Sequence, residues 1–595
     1  MSHYDSRRDF NGESRLLFIT SIAVVVSALS TCTAYLLLHL IHFFTNLFFF
    51  QTLSDNFISP ADNTLGAWVI AVPIIGGIIV GLIARYGSEA IRGHGIPEAI
   101  EAILFKKSTM SPKVAVLKPI ASGIAIGSGG PFGAEGPVIM TGGAVGSLIA
   151  QYFNLSGGER KALLVAGSMA GMTAVFGTPI AALLLAVELL LFELRPRSLL
   201  PVAVACAVAG FMRPLLIDSG PLFPLTTQPM PPIALISCLI AGLLSGGLSW
   251  LLSIALYRVE DMFQRLPIHW MWWPAIGGLA IGIGGYFQPR ALGVGYDVIG
   301  DLLQSHMAAG LVAGLLLAKA IMWLIALGSG TSGGVLAPLL MLGAGLGAFL
   351  APYLPGGEPA VWPLVFMAAT LGGMMRAPIM AVVFAFELTH DTNALLPVLA
   401  ASVVAYGFTV VTMHRSILTE KIARRGHHIY REYGIDPLER HSVAEVMTAD
   451  PISIPAEANI ADILSSHFGT EQRHRAFPVT RDGTLIGMVD RAALTSSDQN
   501  AGATCVGDLF GLNAPIVALA TETCRAVATR LAVHGLERLP VVADSRSHRL
   551  IGLVSRSDLI KTTLATHDEE HRRQTFRRIP FRQSRGFAAR KNKPK

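Results

Sequence analysis

Charged residues are scarce in this chain of 595 residues, at 14% of the total. Soluble domains carry about 25% charged residues, so a wholly soluble protein is excluded. The five cysteines form no CxxC pair and give no sign of a zinc site or a disulfide framework. No glycine-rich segment ends in the Gly-Lys-Ser/Thr of a phosphate-binding loop. The sequence therefore predicts no metal site, no catalytic residue, no required cofactor and no enzyme.

Acidic residues are absent from residues 572–595, which contain ten Lys or Arg. This segment more than accounts for the net charge of +6, so the body of the protein gives no support for nucleic-acid binding. A polar segment with so few apolar residues cannot bury a core, and we expect residues 566–595 to form a basic, disordered tail.

Long apolar runs are abundant. Residues 16–50 contain no Asp, Glu, Lys or Arg, and this run exceeds the ~20 residues that cross a bilayer. The basic residues 414–425 follow the last apolar run, which predicts a cytoplasmic C-terminus, and we place residues 1–14 on the same side. Further candidate spans are residues 65–84, 231–256, 271–287, 320–357 and 359–411.

Two pairs of segments repeat at nearly one spacing. Residues 127–150 match residues 328–351 at nine of 24 positions without a gap, at an offset of 201. Residues 177–190 match residues 376–389 at six of 14 positions, at an offset of 199. Duplicated halves with Gly/Pro-interrupted segments indicate a transporter-type site where the halves meet. Shared composition of glycine-rich membrane helices is the alternative explanation.

Three short segments place small residues before an apolar residue and a proline: GHGIPE at Gly93–Glu98, GAEGP at Gly133–Pro137 and GGVLAP at Gly333–Pro338. Proline suits the first turn of a helix, and glycine lets a ligand approach the backbone. Each segment thus predicts a helix N-terminus at membrane depth, where free N–H groups need a partner. An anion would satisfy them, and we expect its attraction to come from helix dipoles and His94 without a buried lysine or arginine.

Glu135 lies in the middle of the second segment. A carboxylate within a membrane is expensive and by default functional. Its charge would compete with a permeating anion for the same N–H groups, so the sequence predicts a gate that responds to pH and to anion concentration. The structural alternative is a glutamate that only caps its helix.

The three segments, in this order, resemble the anion-binding signatures of the CLC family of chloride channels and proton-coupled chloride transporters. The resemblance implies a polytopic α-helical membrane domain over residues 15–425, with inverted repeats of tilted, broken helices, in a homodimer in a bacterial inner membrane. Each subunit would bind chloride or a related small anion, with Glu135 as gate. The matching anion-site positions are Gly93, His94, Gly95, Ile96, Pro97, Gly133, Ala134, Gly136, Pro137, Gly334, Val335, Leu336 and Leu418.

Several positions depart from the family pattern. His94 stands where the family usually has Ser, Ala134 where it has a basic residue, and Leu418 where it has a pore-lining Tyr. Leu189 occupies the position of the internal proton-transfer glutamate. Because Leu cannot carry a proton, the sequence predicts a voltage- or pH-gated anion channel that conducts passively, or weakly coupled transport, gated by Glu135 and modulated by the cytoplasmic domains. A proton-coupled chloride or fluoride antiporter is the alternative, with Glu193 as a displaced proton carrier, and a membrane sensor without transport is a third interpretation.

Residues 441–495 and 503–565 share one layout of short strands and helices, which resembles a tandem pair of cystathionine-β-synthase-type (CBS) modules. The resemblance implies a cytoplasmic α/β pair whose clefts can bind adenine nucleotides such as ATP or AMP. Ser555 and Asp558 match the phosphate- and ribose-binding positions in the second module, whereas the first has Asp490 and Ala493 there. A purely structural dimer contact is equally compatible. Strands are predicted at Pro451–Ile454, Leu485–Val489, Leu539–Val542 and Leu550–Val554.

Overall fold

The structure, a computed structural model, describes residues 15–427, 441–468, 475–495, 504–511 and 515–561, together with Ile429, Asp436 and Leu438. The predictions for residues 1–14 and for the basic tail 566–595 lie outside these ranges. The chain divides into two compact units, Met1–Arg431 and Glu432–Lys595. Each unit has its own apolar core.

The described residues of the first unit form helices joined by irregular segments, with isolated bridges between Gly93 and Ser332 and between Gly133 and Gly334. Its helices are α1 Arg15–Thr45, α2 Ala71–Tyr86, α3 Ile96–Phe105, α4 Pro112–Gly127, α5 Glu135–Gln151, α6 Gly157–Phe176, α7 Pro179–Leu185, α8 Pro196–Leu216, α9 Ala234–Gln264, α10 Trp273–Phe287, α11 Tyr296–Leu303, α12 Ala309–Gly328, α13 Leu336–Leu350, α14 Val361–Met375, α15 Pro378–Thr389, α16 Leu395–Thr412 and α17 Ile417–Arg424.

Among the described residues, seven helical segments are long and apolar enough to cross a membrane. The predicted span 16–50 is one such segment, formed by α1 and a π-helical turn at Asn46–Phe50. The candidate stretch 320–357 is divided between two helices, because the chain leaves the helical conformation between α12 and α13. Helix α8 is a span that the sequence reading missed, since Pro201 and Pro214 interrupt its apolar run.

The repeat corresponds to two series of helices, α2–α8 and α10–α16. Within each series the site helix packs closely on the next: α5 on α6, and α13 on α14. Glycine allows this approach, because a Cβ on Gly142 would lie 2.2 Å from the carbonyl oxygen of Gly167. In the other series, a Cβ on Gly347 would lie 2.5 Å from the carbonyl oxygen of Trp362.

The second unit contains two small sheets of order β1-β7-β6-β5 and β2-β3-β4. The strands are β1 Thr448–Ala449, β2 Ile454–Pro455, β3 Ala476–Arg481, β4 Thr484–Asp490, β5 Ala518–Leu519, β6 Arg538–Val542 and β7 Leu550–Ser555. The helices are α18 Val443–Val446, α19 Ile460–His467, α20 Arg491–Thr495 and α21 Cys524–Val533.

The two modules repeat one pairing scheme: β2 pairs with β3, and β5 with β6, in parallel, whereas β3–β4 and β6–β7 are antiparallel. Three of the four predicted strands are confirmed. The fourth, Pro451–Ile454, is wrong except at its last residue, because Pro451, Ile452 and Ser453 lie in irregular chain.

Candidate functional site

Three helix N-termini meet inside the first unit at the segments that the sequence indicates. Helices α3, α5 and α13 begin at Ile96, Glu135 and Leu336, and all three residues are buried. Gly133 and Gly334 exchange backbone hydrogen bonds of 3.2 and 2.9 Å, which join the segments before α5 and α13. The predicted helix starts are therefore confirmed.

A fourth N-terminus lies at the same centre. Helix α11 begins at Tyr296 after Gly295, as α3 begins at Ile96 after Gly95. Both glycines have positive φ angles, of +91° at Gly95 and +81° at Gly295. These angles favour glycine, because other L-residues rarely adopt them. The sequence reading missed this segment because it lacks the proline, although the repeat offset would have found it.

The carboxylate of Glu135 lies between these helix ends. Its Oε1 accepts a hydrogen bond from the Ala337 backbone N–H (3.1 Å) and one from the Tyr296 hydroxyl (3.3 Å). Its Oε2 has no hydrogen-bond partner among the described residues, although the side chain is fully buried. The carboxylate thus accepts a backbone N–H from the first turn of α13.

Two cavities flank the helix ends. A basic cavity of about 770 Å³ is lined by Arg92, Gly93, Glu98, Lys421 and Arg425, among others. A mainly apolar cavity of about 660 Å³ is lined by Leu38, His42, Phe223, Gly295 and Tyr296, among others.

The two cavities lie toward opposite ends of helix α1. Arg15, the first residue of α1, donates to the carbonyl of Asn154, just beyond α5. Gln151, at the end of α5, donates to the carbonyl of Met110, which lines the basic cavity. The first end of α1 is therefore on the side of the basic cavity. The apolar cavity is lined instead by the last two turns of α1, Leu38 to Thr45. A helix of 31 residues is about 46 Å long. The two cavities therefore lie toward opposite faces of the unit, and Glu135 is bonded to Tyr296, which lines the apolar one.

Two lysines are fully buried beside the site, at equivalent places of the repeat. Lys118 on α4 donates to the carbonyls of Ile91 (2.8 Å) and Gly93 (2.9 Å). Lys319 on α12 donates to the carbonyls of Ala291 (3.1 Å) and Gly293 (2.8 Å).

Two buried lysines thus lie beside a site for which the sequence predicts attraction by helix dipoles and His94. The carbonyls that precede α3 and α11 take the place of water as hydrogen-bond partners of the two lysine nitrogens. A buried polar group needs such partners to offset the loss of water. The two lysines are 201 residues apart, so extending the repeat toward the N-terminus would have revealed them.

His94, Leu189 and Leu418 are all buried, each at 2% exposure or less. The carbonyl of His94 approaches Gly136 so closely that a Cβ there would lie 1.8 Å from it. The side-chain Nδ1 of His94 has no hydrogen-bond partner among the described residues. Leu418 lies in the first turn of α17, and Leu189 lies in a π-helical turn at Ala186–Leu191.

Glu193 is fixed by cations and a hydroxyl just outside the apolar helices. Its Oε1 lies 2.8 Å from Lys161 and accepts from Ser198 at 2.5 Å, and its Oε2 lies 3.3 Å from Arg197. Burial raises the pKa of Glu193, but the hydrogen bonds and charges of these neighbours outweigh burial and lower the pKa to about 2. Such a carboxylate stays ionised near neutral pH, which argues against its service as a proton carrier.

Two glutamates at matching repeat positions cap each other's helices. Glu387 on α15 accepts from the backbone N–H groups of Ile180 (3.0 Å) and Ala181 (2.7 Å), at the start of α7. Glu188 accepts from Ile379 (3.4 Å) and Met380 (3.0 Å), at the start of α15. A negative side chain at a helix N-terminus stabilises that helix, so the two halves hold each other.

Helix α17 is held against α3 by ion pairs. Glu98 accepts from the backbone N–H of Gly95 through Oε2 (2.9 Å) and from Arg425 through Oε1 (2.9 Å). Arg425 also bonds Glu101 at 2.5 Å, and Lys421 lies 3.6 Å from Glu98. The turn that precedes α3 is therefore connected to the residues that end the first unit.

In the second unit, Ser555 and Asp558 bond each other. The Ser555 hydroxyl donates to Asp558 Oδ2 (2.6 Å), and Lys561 lies 2.7 Å from Oδ1. Burial raises the pKa of Asp558, but Lys561 and Ser555 together lower it by more. The two residues thus cap the helical residues 556–561, and a ligand would have to compete with this arrangement.

Comparisons with known proteins agree with this geometry. The family model described as voltage gated chloride channel matches residues 75–410, and the CBS domain model matches residues 443–498 and 506–564. The chain is 27% identical to a ClcB-like chloride channel protein of Ralstonia nicotianae over 62% of its own length and 89% of the relative's. It is 27% identical to the H(+)/Cl(-) exchange transporter ClcA of Citrobacter koseri, over 62% and 82% of the two chains.

Solved structures share the fold. A slow cyanobacterial Cl⁻/H⁺ antiporter aligns with a TM-score of 0.61 and 22% identity, over 70% of this chain and 99% of its own. A eukaryotic CLC transporter aligns with a TM-score of 0.57 and 18% identity, over 91% and 98%. The chain is an integral membrane protein that belongs to the CLC family of voltage-gated chloride channels and related anion transporters, and it carries two CBS domains after its membrane region.

Proposed function

We propose that this protein transports chloride in exchange for protons, with Glu135 as the group that competes with chloride and takes up the proton. The observation that carries the proposal is the position of the Glu135 carboxylate, which lies among the helix N-termini and accepts hydrogen bonds from Ala337 and Tyr296. The exchange names of relatives at 27 to 28% identity favour this reading over the channel that Leu189 predicts.

An anion would bind where the helix N-termini converge. We propose that backbone N–H groups of Ile96, Gly136, Val335 and Leu336 face it, with Gly93, His94, Gly95, Pro97, Gly133, Ala134, Pro137, Gly334 and Leu418 shaping the pathway. The buried Lys118 and Lys319 supply positive charge on either side. When Glu135 is protonated it loses its attraction to these donors, and the anion takes its place.

Passive conduction of chloride is the second candidate. Leu189 offers no titratable group on the α7 side, and Glu193 is held ionised by Lys161 and Arg197. With no group at either position that takes up a proton near neutral pH, protons reach Glu135 from only one face, and coupling is lost. Fluoride exchange on the same fold is a third outcome, which the measurement below separates when it is repeated with a fluoride gradient and a fluoride electrode.

Reconstituted protein distinguishes these candidates. Proteoliposomes with a chloride gradient are followed with a chloride electrode and a pH electrode, and Glu135→Ala is the matched variant. If the protein is an exchanger, the chloride gradient should drive protons uphill. Glu135→Ala should abolish this proton movement. Chloride flux without proton movement would establish passive conduction, and absence of flux in any anion would leave the sensor interpretation.

We further propose that the protein is a homodimer in a bacterial inner membrane, with both termini in the cytoplasm. The basic residues that follow the last apolar helix support this orientation.

We propose that the second CBS domain binds ATP or AMP through Ser555 and Asp558. Calorimetric titration of the full-length protein with each nucleotide tests this, with Asp558→Ala as the variant that should lose the heat signal.

A further inference from the structure

Tyr296 is the one side chain among the described residues that donates a hydrogen bond to Glu135. It is the first residue of α11, and the positive φ of Gly295 sets the direction in which the helix starts. Its ring lines the apolar cavity, so the hydroxyl reaches Glu135 from that cavity. The residue at the equivalent place of the first repeat is Ile96, which cannot donate through its side chain.

The ring of Tyr296 is held on two sides. It makes edge contacts with Phe176 at 6.0 Å and with Phe223 at 6.3 Å between ring centroids. Gly295 is so crowded that a Cβ on it would lie 2.1 Å from the Met341 methyl group. A hydroxyl on a ring fixed in this way keeps its direction, which is what a positioning residue needs.

We propose that Tyr296 is a latch that holds the ionised carboxylate of Glu135 in the anion pathway and thereby sets how readily protons and chloride release it. Glu135 Oε1 has two donors, the Ala337 N–H and the Tyr296 hydroxyl, whereas Oε2 has no hydrogen-bond partner among the described residues. The backbone donor also serves an anion that replaces the carboxylate, but the hydroxyl can be removed separately. This inference deepens the proposed function and rests on it.

The expected direction follows from the charge of the acceptor. A hydroxyl donor favours the ionised carboxylate over the protonated one. Tyr296→Phe should therefore let protons release Glu135 at a higher pH, and let chloride displace it at a lower concentration. Other charged or titratable groups around the pair and its cavity keep their places in this variant: His42, Arg213, Asp218, Asp297, Asp301 and Lys319.

The test measures chloride efflux from proteoliposomes between pH 4.5 and 8 for wild type, Tyr296→Phe, Glu135→Ala and the double variant. We expect Tyr296→Phe to raise the midpoint of the pH profile by about one unit and to lower the half-saturating chloride concentration about tenfold. In the Glu135→Ala background the same change should have no effect, because the two residues act as a pair.

Tyr286→Phe is the matched control, since its hydroxyl lies on a half-exposed ring of α10. Tyr296→Phe keeps the contacts with Phe176 and Phe223, and chloride calorimetry in detergent gives a second reading of the same shift. A wild-type pH profile in Tyr296→Phe beside a pH-independent Glu135→Ala would overturn the latch and leave the proposed function standing. A shift that persists without Glu135 would also overturn it. A wild-type pH profile in Glu135→Ala would overturn both.

Discussion

At the scale of single residues, the buried lysines matter because each one performs two roles. Lys118 satisfies two carbonyls that burial has removed from water, and it places a positive charge beside the segment that precedes α3. Lys118→Met should lower the melting temperature, since unpaired buried carbonyls cost about 1 to 3 kcal/mol each. It should also weaken chloride binding. Thermal unfolding and chloride calorimetry in detergent measure the two effects.

The same helix offers the control for this prediction. Lys113 lies in the first turn of α4 and is exposed, so Lys113→Met should leave both measurements unchanged. Chloride affinity equal to wild type in a folded Lys118→Met variant would mean that the lysine serves the backbone alone.

Substitution of Glu193 should change stability but not transport. Lys161 and Ser198 hold the pKa of Glu193 at about 2, below the ~4.3 of an unperturbed glutamate. The ion pairs therefore stabilise the fold above about pH 4.3, and this stabilisation is lost as pH falls toward 2. Glu193→Gln should lower the melting temperature at pH 7, with less effect near pH 3, and leave the proton-to-chloride ratio unchanged. A reduced ratio at pH 7 would instead make Glu193 a proton carrier.

At the scale of helices, the exchange of glutamate caps explains why the repeat preserves these two positions. Glu387 bonds two free N–H groups at the start of α7. Glu387→Ala should lower stability by about 1 to 2 kcal/mol, the usual size of a lost helix cap. Glu387→Gln should recover part of the lost stability, because the amide oxygen still accepts a hydrogen bond from the start of α7. Thermal unfolding in detergent measures this, with exposed Glu358→Ala as the control. Equal stability in all variants would show that solvent replaces the cap.

The starts of α3, α5 and α13 could be predicted because glycine followed by proline marks a helix N-terminus in the sequence itself. The contact between Tyr296 and Glu135 could not, because α11 begins without proline and the two residues are 161 positions apart. The interruption between α12 and α13 was hidden by an uncharged run, since hydropathy does not register where a helix stops.

At the scale of the whole molecule, every contact assigned to transport lies between Arg15 and Arg425. The ion pairs of Glu98 with Lys421 and Arg425 belong to the first unit, which extends to Arg431. Glu135, Tyr296 and both buried lysines belong to it as well. The CBS domains form cores of their own and supply no group to the anion pathway as it is proposed here.

A chain that ends at Arg431 should therefore still carry chloride. We expect its flux per protein in proteoliposomes to stay within about twofold of the full chain, because the Coulomb and hydrogen-bond partners of Glu135 and of α17 are all retained. Any effect of ATP or AMP on flux should disappear, since Ser555 and Asp558 are absent. A second truncation, ending at Thr412, removes α17 with its ion pairs to α3 and should lose activity. If the chain that ends at Arg431 is folded but inactive, the CBS domains take part in transport itself.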